Sequence, residues 1–571
     1  MKKAPKKNIY NNLADIVVPS QNEQTERKPS RPMDGDAIAQ FINSRERTRP
    51  APKRGISITR LVLLFLGVAV FLFIAGGIYV YRTERATVEN IAREAGKFYS
   101  FFNKGEPVEA SAVQSGPAKT SGLGDVWETI KLFTKDFDAI KNFSSNSMEL
   151  IAEMKDLEET WIPDALSGRG KELIAKLEKI QGSLHSIEEA NRTLGENSAL
   201  AERVLPLDSG SYLDVRVYVS RFSAGMDRFV AWMKEDRNHN IILLLENPSE
   251  LRPGGGFQGS YAEIVMHKGS ITNVTVHDIN DADRLLDRKI IPPIPLQLEV
   301  RRFHAADGNW FFDFPESAST TLSLLESSGL YKNSNTSFEA AIGVSGKAVQ
   351  DILTATGPIT LPHNKVVSAD NFLSVLQENV QNGQESGAED PKLILDQFAS
   401  ALLNKTKELR ASEMGTLYEK ILASVSKNEI RLFARDPIFE GLIDEAGASG
   451  RAFTIPANWN GDYLAVVNAN INGQKSDLFM EQKVVLETQL SDTSEVSHHI
   501  TLTRTHTATS DQAWWYSATN QDYLQIYTTP TAALSYVDGG LQKTITPRAE
   551  YAREKYEVLP RVAQIQSTME E

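Results

Sequence analysis

The sequence predicts a mixed α/β sheet with covering helices, preceded by one transmembrane helix and a helical stalk and followed by a small β-sandwich. Three observations predict this order. Leu61–Tyr81 runs for 21 residues without a charge. Residues 125–238 carry apolar positions at helical spacing, and residues 239–452 alternate strand-like and helix-like stretches. Beyond residue 453, short alternating strands between polar turns take over.

Residues 1–58, rich in Lys, Arg, Pro and Asn, read as a disordered tail. At about 1.5 Å per residue, the uncharged stretch within 59–82 matches the ~30 Å hydrocarbon core of a bilayer. Arg45, Arg47, Arg49, Lys53, Arg54 and Arg60 crowd its amino-terminal side, against Arg82 and Arg85 behind it. The positive-inside rule then leaves the tail in the cytoplasm and the body outside. Residues 83–124 read as a juxtamembrane helix and linker, ending in the Gly- and Ser-containing stretch 103–124.

Val126, Ile130, Phe133, Phe137 and Ile140 form one stripe, and Leu173, Leu177, Ile180, Leu184 and Ile187 form another. The breaker "PDALSGRG" between them predicts a helical hairpin, with a third helix over 211–235. Such a unit is either a stalk or a packed helical subdomain. Next come the buried strand "IILLLE" and a hairpin around His267–Ser270. A helix from Pro315 to Gly329, the strand "FEAAIGV" and a helix ending at Gly357 follow. Helices over 369–382, 391–425 and 436–446, with the strand 430–434, complete the α/β region. The sandwich occupies 453–545, and 546–571 reads as a loosely held tail.

Composition narrows the chemistry. The 571 residues include no cysteine, which removes disulfides, thiolate metal sites and cysteine nucleophiles together. Residues 1–60 hold 13 Lys/Arg against 6 Asp/Glu, a net of +7, which leaves −20 for the rest of a chain totalling −13. So acidic a body repels nucleic-acid phosphates.

The stretch "LRPGGGFQGSYAEI" follows the first strand. Gly254, Gly255 and Gly256 either admit an anion to the backbone or let the strand reverse. Arg252 beside them suits an oxyanion or phosphate. The segment is no P-loop, for the Lys-Ser/Thr pair is missing. Asp278, Asp281 and Asp283, near His277 and Arg284, fit either a hard cation such as Mg²⁺ or a set of turns and caps. Arg301, Arg302, His304, Asn309 and Asp313 lie among aromatics, which suit a glycan or lipid-linked head group or else belong to the core. His498 and His499 point to opposite faces of a strand, so they do not share a metal.

These strings together resemble a known family. "LLLENPSELRPGGGFQGSYAEI", "ITNVTVHDINDAD", "ADGNWFFDFPESA", "AAIGVSGKAVQDILTATGPITLP" and "DYLAVVNANINGQKSDLFM" look like the domain-of-unknown-function 4012 family of bacterial membrane-anchored proteins. More faintly, the chain is similar to the LytR-CpsA-Psr family, whose members transfer glycopolymers from polyprenyl-pyrophosphate carriers using Mg²⁺, acidic residues and arginines. That likeness implies a LytR-CpsA-Psr-like fold and places Arg252, Asp281, Asp283 and Arg284 in catalysis. It makes Gly254, Gly255, Gly256, Arg301, Arg302, Asn309 and Asp313 ligand-binding, with Asp278, Asp281 and Asp283 as metal ligands. The chain departs from that pattern where Pro-Gly-Gly-Gly replaces the aspartate after the motif arginine. Two functions stay open: a Mg²⁺-dependent phosphotransferase acting on a lipid-pyrophosphate-linked glycan and a cell-wall polymer, or a non-catalytic envelope scaffold or adhesion protein. Either would sit in the cell membrane by a single pass.

Overall fold

The computed structural model describes residues 14–16, 142–196 and 209–568, with short interruptions in the last two spans. The uncharged stretch 61–81 and the stripe from Val126 to Ile140 lie outside the described residues. Among the described residues, no helix is long and apolar enough to cross a membrane.

A three-residue strand, β1 (Ala14–Ile16), pairs antiparallel with β13 (Gln542–Thr544). The central sheet has five strands: β2 (His239–Arg252), β3 (Gly255–His267), β4 (Ser270–Asp278), β5 (Ala340–Ser345) and β8 (Ile430–Ala434). Their spatial order is β4-β3-β2-β5-β8, with β2 and β5 parallel and the other neighbours antiparallel. This is the mixed sheet the sequence predicts. The hydrophobic run of β2 follows from its central place, because both its faces are covered. Ile241 and Leu243 face one core while Ile242 and Leu244 face the other.

The first core is closed by helices. α1 (Gly170–Glu196) buries the expected stripe Leu173, Leu177, Ile180, Leu184 and Ile187, and α2 (Ser209–Lys234) adds Met226, Phe229, Val230 and Met233. Leu173, Leu177 and Ile180 share one continuous core with Ile241 and Ile264 of the sheet. The described helices therefore form a packed layer on the sheet, and the stalk alternative does not hold for them. On the opposite face, the short α3 (Ile279–Arg284) and α4 (Phe314–Ser327) bury Ile279, Phe314, Ala318 and Leu322. α5 (Gly346–Thr356), α6 (Phe372–Glu385), the small hairpin β6 (Ile359–Leu361) with β7 (Lys365–Val367), and α9 (Pro437–Glu445) fill out the α/β region.

The single helix expected over 391–425 is two, α7 (Leu393–Lys407) and α8 (Ala411–Ser426). No Pro or Gly marks the break. Glu413 instead accepts a hydrogen bond from the Arg410 backbone N–H at 2.9 Å and so starts the second helix.

The expected sandwich is replaced by two separate ribbons. β9 (Ala465–Asn470) pairs with β12 (Asp522–Tyr527), and β10 (Met480–Leu490) pairs with β11 (Val496–His506). Strand alternation predicts each ribbon but not whether the two share a sheet. Residues beyond 546 are also better held than their polarity suggests. Ile291 N–H donates to the Glu557 carbonyl and Glu557 N–H to that of Lys289, at 2.9 and 2.8 Å. Beyond them, Val562 is buried on α10 (Pro560–Thr568).

Candidate functional site

The glycine run is a packed turn. Arg252 pairs across from Gly255 and Leu251 from Gly256, so Pro253 and Gly254 reverse the chain between β2 and β3. Gly254 is buried, and its N–H donates to the Asn309 carbonyl at 2.8 Å. A Cβ there would meet Ser317 Oγ at 2.6 Å and the Asn309 and Phe311 carbonyls at 2.8 Å. Gly255 adopts φ +134°, a conformation nearly closed to other residues. A Cβ at Gly256 would collide with the Asn247 carbonyl oxygen. Of the two readings, the strand reversal is the one found.

Behind the turn lies a buried ion pair that the sequence reading passed over. Arg431 of β8 donates to Glu246 at the end of the hydrophobic part of β2, and also to the Gly254 carbonyl. The two side chains reach across β5, where Gly343 stands opposite both Leu244 and Arg431. A side chain at Gly343 would strike the Phe314 ring at 2.6 Å and Glu246 at 3.1 Å. Arg431 also stacks on Phe314, its guanidinium carbon 4.8 Å from the ring centre. Burial pushes the Glu246 carboxyl up to about 7, with Arg431 opposing the rise. The signal that would have found the pair was a lone charge in each of two apolar strands, "IILLLE" and "IRLFA".

Arg252 is held in the same way. Its guanidinium donates to the Asn470 carbonyl at 2.9 Å and to Glu250 at 3.2 Å, and lies 3.7 Å from Asp307. It also covers Phe257 at 5.0 Å, and only 8% of the residue is exposed. Asp307 is buried, which raises its carboxyl above the usual range while Arg252 draws it back. One step further, Asp477 accepts from the Leu251 N–H at 2.8 Å and from Asn470 and Asn520 at 2.7 Å each. Arg504 of β11 joins Asp477 at 3.6 Å and pairs with Asp522. Burial pushes Asp522 up to about 7, Arg504 opposing. Arg252, Asp307, Asp477, Arg504 and Asp522 thus form a charged seam joining the central sheet to the β9–β12 ribbon.

The remaining predicted residues are dispersed. Asp278 caps α3 by accepting from Asn280 N–H at 3.0 Å and pairs with Lys392 at 3.0 Å. Asp281 pairs with Arg284 on the exposed side of the same helix. Asp283 turns inward and accepts from the Ala305 and Ala306 N–H groups at 2.7 and 3.2 Å; burial nonetheless pushes it up to about 6. Among the described residues, no group of three or more His, Asp or Glu fits a metal ion. The three carboxylates have separate partners and do not converge on a Mg²⁺ site: Asp278 caps α3, Asp283 holds the Ala305 and Ala306 N–H groups, and Asp281 pairs with Arg284.

Arg302 donates to the Leu286 and Asp283 carbonyls at 2.6 and 2.9 Å. Fully buried Asn309 donates to the Gly256 carbonyl. Asp313 caps α4 through Glu316 N–H and accepts from Ala452 N–H, both at 3.0 Å. Trp310 and Phe314 are core. Arg301 is exposed, with no ion pair among the described residues. Arg252 and Gly254 are buried, whereas Asp281 and Arg301 are exposed. In the β region His498 meets Thr488 and Asp462, while His499 stands opposite Glu487 on the other face, as strand alternation requires.

Fold and site together define a mixed α/β body whose buried arginines tie strands and a β-ribbon into one unit. Residues 236–380 match the model of the family described as "Protein of unknown function (DUF4012)", which bears out the sequence resemblance over β2 to β5, four of the five strands of the central sheet. No curated protein matches the chain. Among solved structures, the chain is similar to B. subtilis TagV, with 11% identity, 38% of this chain and 81% of that one covered, and a TM-score of 0.23. It is also similar to Lin1025 from Listeria innocua, with 10% identity, coverage of 47% and 91%, and a TM-score of 0.22. A third likeness is to a protein described as the transcriptional regulator yvhJ from Bacillus subtilis, with 11% identity, coverage of 38% and 79%, and a TM-score of 0.18.

Proposed function

We propose that this chain is a single-pass, membrane-anchored protein of the cell envelope whose extracytoplasmic body works as a non-catalytic scaffold. One observation carries the choice of scaffold over transferase. Arg252, the cation assigned to a pyrophosphate, is buried among Asp307, Glu250 and the Asn470 carbonyl and leaves no charge for a ligand at the glycine turn. The uncharged stretch 61–81 and the basic residues before it support the anchor and its direction.

The transferase reading keeps one specific observation, the exposed Arg301. Binding of a polyprenyl-pyrophosphate analogue to the full chain in nanodiscs, with and without Mg²⁺, separates the two. A scaffold of this kind shows no Mg²⁺-dependent binding; saturable Mg²⁺-dependent binding that Arg301→Ala removes would favour transfer.

Topology is tested separately, and the absence of cysteine makes the test clean. In intact cells an impermeant maleimide should label Ser517→Cys and not Ser20→Cys. The pairing of β1 with β13 speaks against this topology, and the experiment decides between the two. A single crossing at 61–81 puts those two strands on opposite sides of the bilayer, so labelling of both cysteines from outside would overturn the single-pass reading.

A further inference from the structure

The β10–β11 ribbon is eleven residue pairs long and, among the described residues, belongs to no larger sheet. Its two faces differ. Val484, Leu486, Leu490, Val496, Ile500 and Leu502 share one face, and Glu481, Lys483, Glu487, His499, Thr501 and Thr503 share the other. Near the tip the apolar face is bare: Leu490 is 72% exposed and Val496 49%. A lone two-stranded hairpin is marginal in water, and three or more strands with an apolar face are needed for independent stability. At its base β11 is tied down, Arg504 to Asp522 and His506 to the Tyr516 carbonyl at 3.0 Å. β10 pairs with β11 alone, which leaves its outer edge without a strand among the described residues. A long free edge is a template for another strand.

We infer that the occupant is β10 of a second copy of this chain, paired antiparallel about a two-fold axis at Val485. Charge and length together favour this partner and this register, since centring on Gln482 also sets Lys483 against Glu481 but leaves residues 485–490 without a β10 partner. Centred on Val485, Lys483 stands opposite Glu487 of the second copy, and the symmetry makes that pair twice. Glu481 then faces Gln489, and on the apolar face Val484 faces Leu486 and Met480 faces Leu490. Neighbouring registers lack this match. Centring on Lys483 or Glu487 sets that residue against itself, and centring on Val484 opposes Glu481 to Glu487. Centring on Leu486 leaves Lys483 against Gln489. The outcome is a four-stranded sheet, β11-β10-β10-β11, that brings Val484, Leu486, Leu490, Ile500 and Leu502 of both copies onto one face.

The chain has no cysteine, so Val485→Cys tests the geometry in the full-length protein in detergent micelles. Opposed Cα atoms of an antiparallel pair lie about 4.5–5.5 Å apart, within disulfide reach. Mild oxidation should yield a covalent dimer. Thr501→Cys, opposite Val485 within the ribbon but on the far strand, should yield none. Sedimentation should show that Lys483→Glu and Glu487→Lys each weaken self-association roughly tenfold or more, and that the double variant restores it. A monomeric wild-type chain would overturn the inference, as would equal cross-linking of Thr501→Cys or a double variant no tighter than the singles. A different protein held on the ribbon of a monomeric chain would overturn it as well.

Discussion

Gly254→Ala separates a packed turn from a ligand cradle. The new Cβ would stand 2.6 Å from Ser317 Oγ and 2.8 Å from two backbone carbonyls, and real Cβ atoms essentially never come within 3.0 Å. Ser317 cannot swing away freely, because its hydroxyl donates to the Phe311 carbonyl at 2.8 Å and accepts from the Phe311 N–H at 3.1 Å. Nor can the turn retreat without stretching the 2.8 Å bond from Gly254 N–H to Asn309. Overpacking of this kind costs about 1–3 kcal/mol, and a weakened buried hydrogen bond adds about 1 kcal/mol. For a domain of this size each kcal/mol moves Tm by roughly 2–4 °C, so a fall of roughly 5–15 °C is expected. Thermal melting of the full chain in micelles, followed by tryptophan fluorescence, reads it. Gly182→Ala is the control, since nothing lies within 4 Å of its Cβ position and alanine favours the helix. If Gly254→Ala melted within about 1 °C of wild type, the packing argument would fail. A cradle predicts the reverse pattern: stability kept and ligand lost.

Further outcomes follow from the buried charges. Arg252→Ala should destabilise by about 3–5 kcal/mol, since Asp307 is left buried without its cation. Adding Asp307→Asn should recover part of the lost Tm; an Arg252→Ala protein as stable as wild type would contradict the seam. Millimolar Mg²⁺ should leave Tm where it is, because Asp278, Asp281 and Asp283 have separate partners. A metal site filled a hundredfold over its Kd would instead add about 2.7 kcal/mol, a shift calorimetry would detect. The pH dependence has a definite sign. Glu246 and Asp522, both pushed up to about 7, hold protons in the folded chain that the unfolded chain has released above its values of 4.5 and 3.8. Their share of stability falls as pH rises from about 4 to about 7. His304, pushed down to about 4 from 6.5 by burial and by Arg302, runs the other way within that window. Asp283 and Glu440, pushed up to about 6 and about 7 by burial, run with Glu246 and Asp522. These carboxyls outweigh one imidazole, so Tm should be higher at about pH 5 than at about pH 7.5, and His304→Gln should widen the gap. A Tm that climbs steadily across that range would refute the assignment.

Most of the central sheet was legible because its signals are local. A buried central strand reads as an unbroken apolar run, a hairpin carries its own turn, and a helix shows its stripe and its breakers. The strands of residues 239–278, the start of α4 near Pro315 and the buried face of α1 all come from such patterns, whereas Asp313, read as ligand-binding, is the cap of α4. Pairing between distant segments was not legible. Alternation in β9 to β12 announces four strands but carries no information about which edges meet, so a sandwich was expected where two ribbons exist. The split at Glu408–Arg410 escaped because a capping carboxylate on Glu413, rather than Gly or Pro, sets it. The region beyond 546 is polar in composition yet docks through backbone hydrogen bonds to residues 289–291, which composition does not register.

The glycine turn misled for a deeper reason. An arginine beside glycines suggests an anion-binding site, and here Arg252 does meet carboxylates, but the glycine turn offers no N–H to them, since Gly254 N–H goes to the Asn309 carbonyl. Sequence does not say whether the anion arrives in solution or is supplied by the same chain. In this fold the chain supplies it: Asp307 and Glu250 take Arg252, Glu246 takes Arg431, and Asp477 takes the Leu251 N–H. The carboxylates come from segments up to 226 residues away, so no local motif announces them. A body with net charge −20 outside residues 1–60 has carboxylates to spare, and each buried arginine that finds one becomes a tie between elements instead of a clamp on a ligand. Arginines that bind an outside anion must keep an open side, and on that criterion Arg301, not Arg252, is the residue in this region to mutate when a ligand is sought.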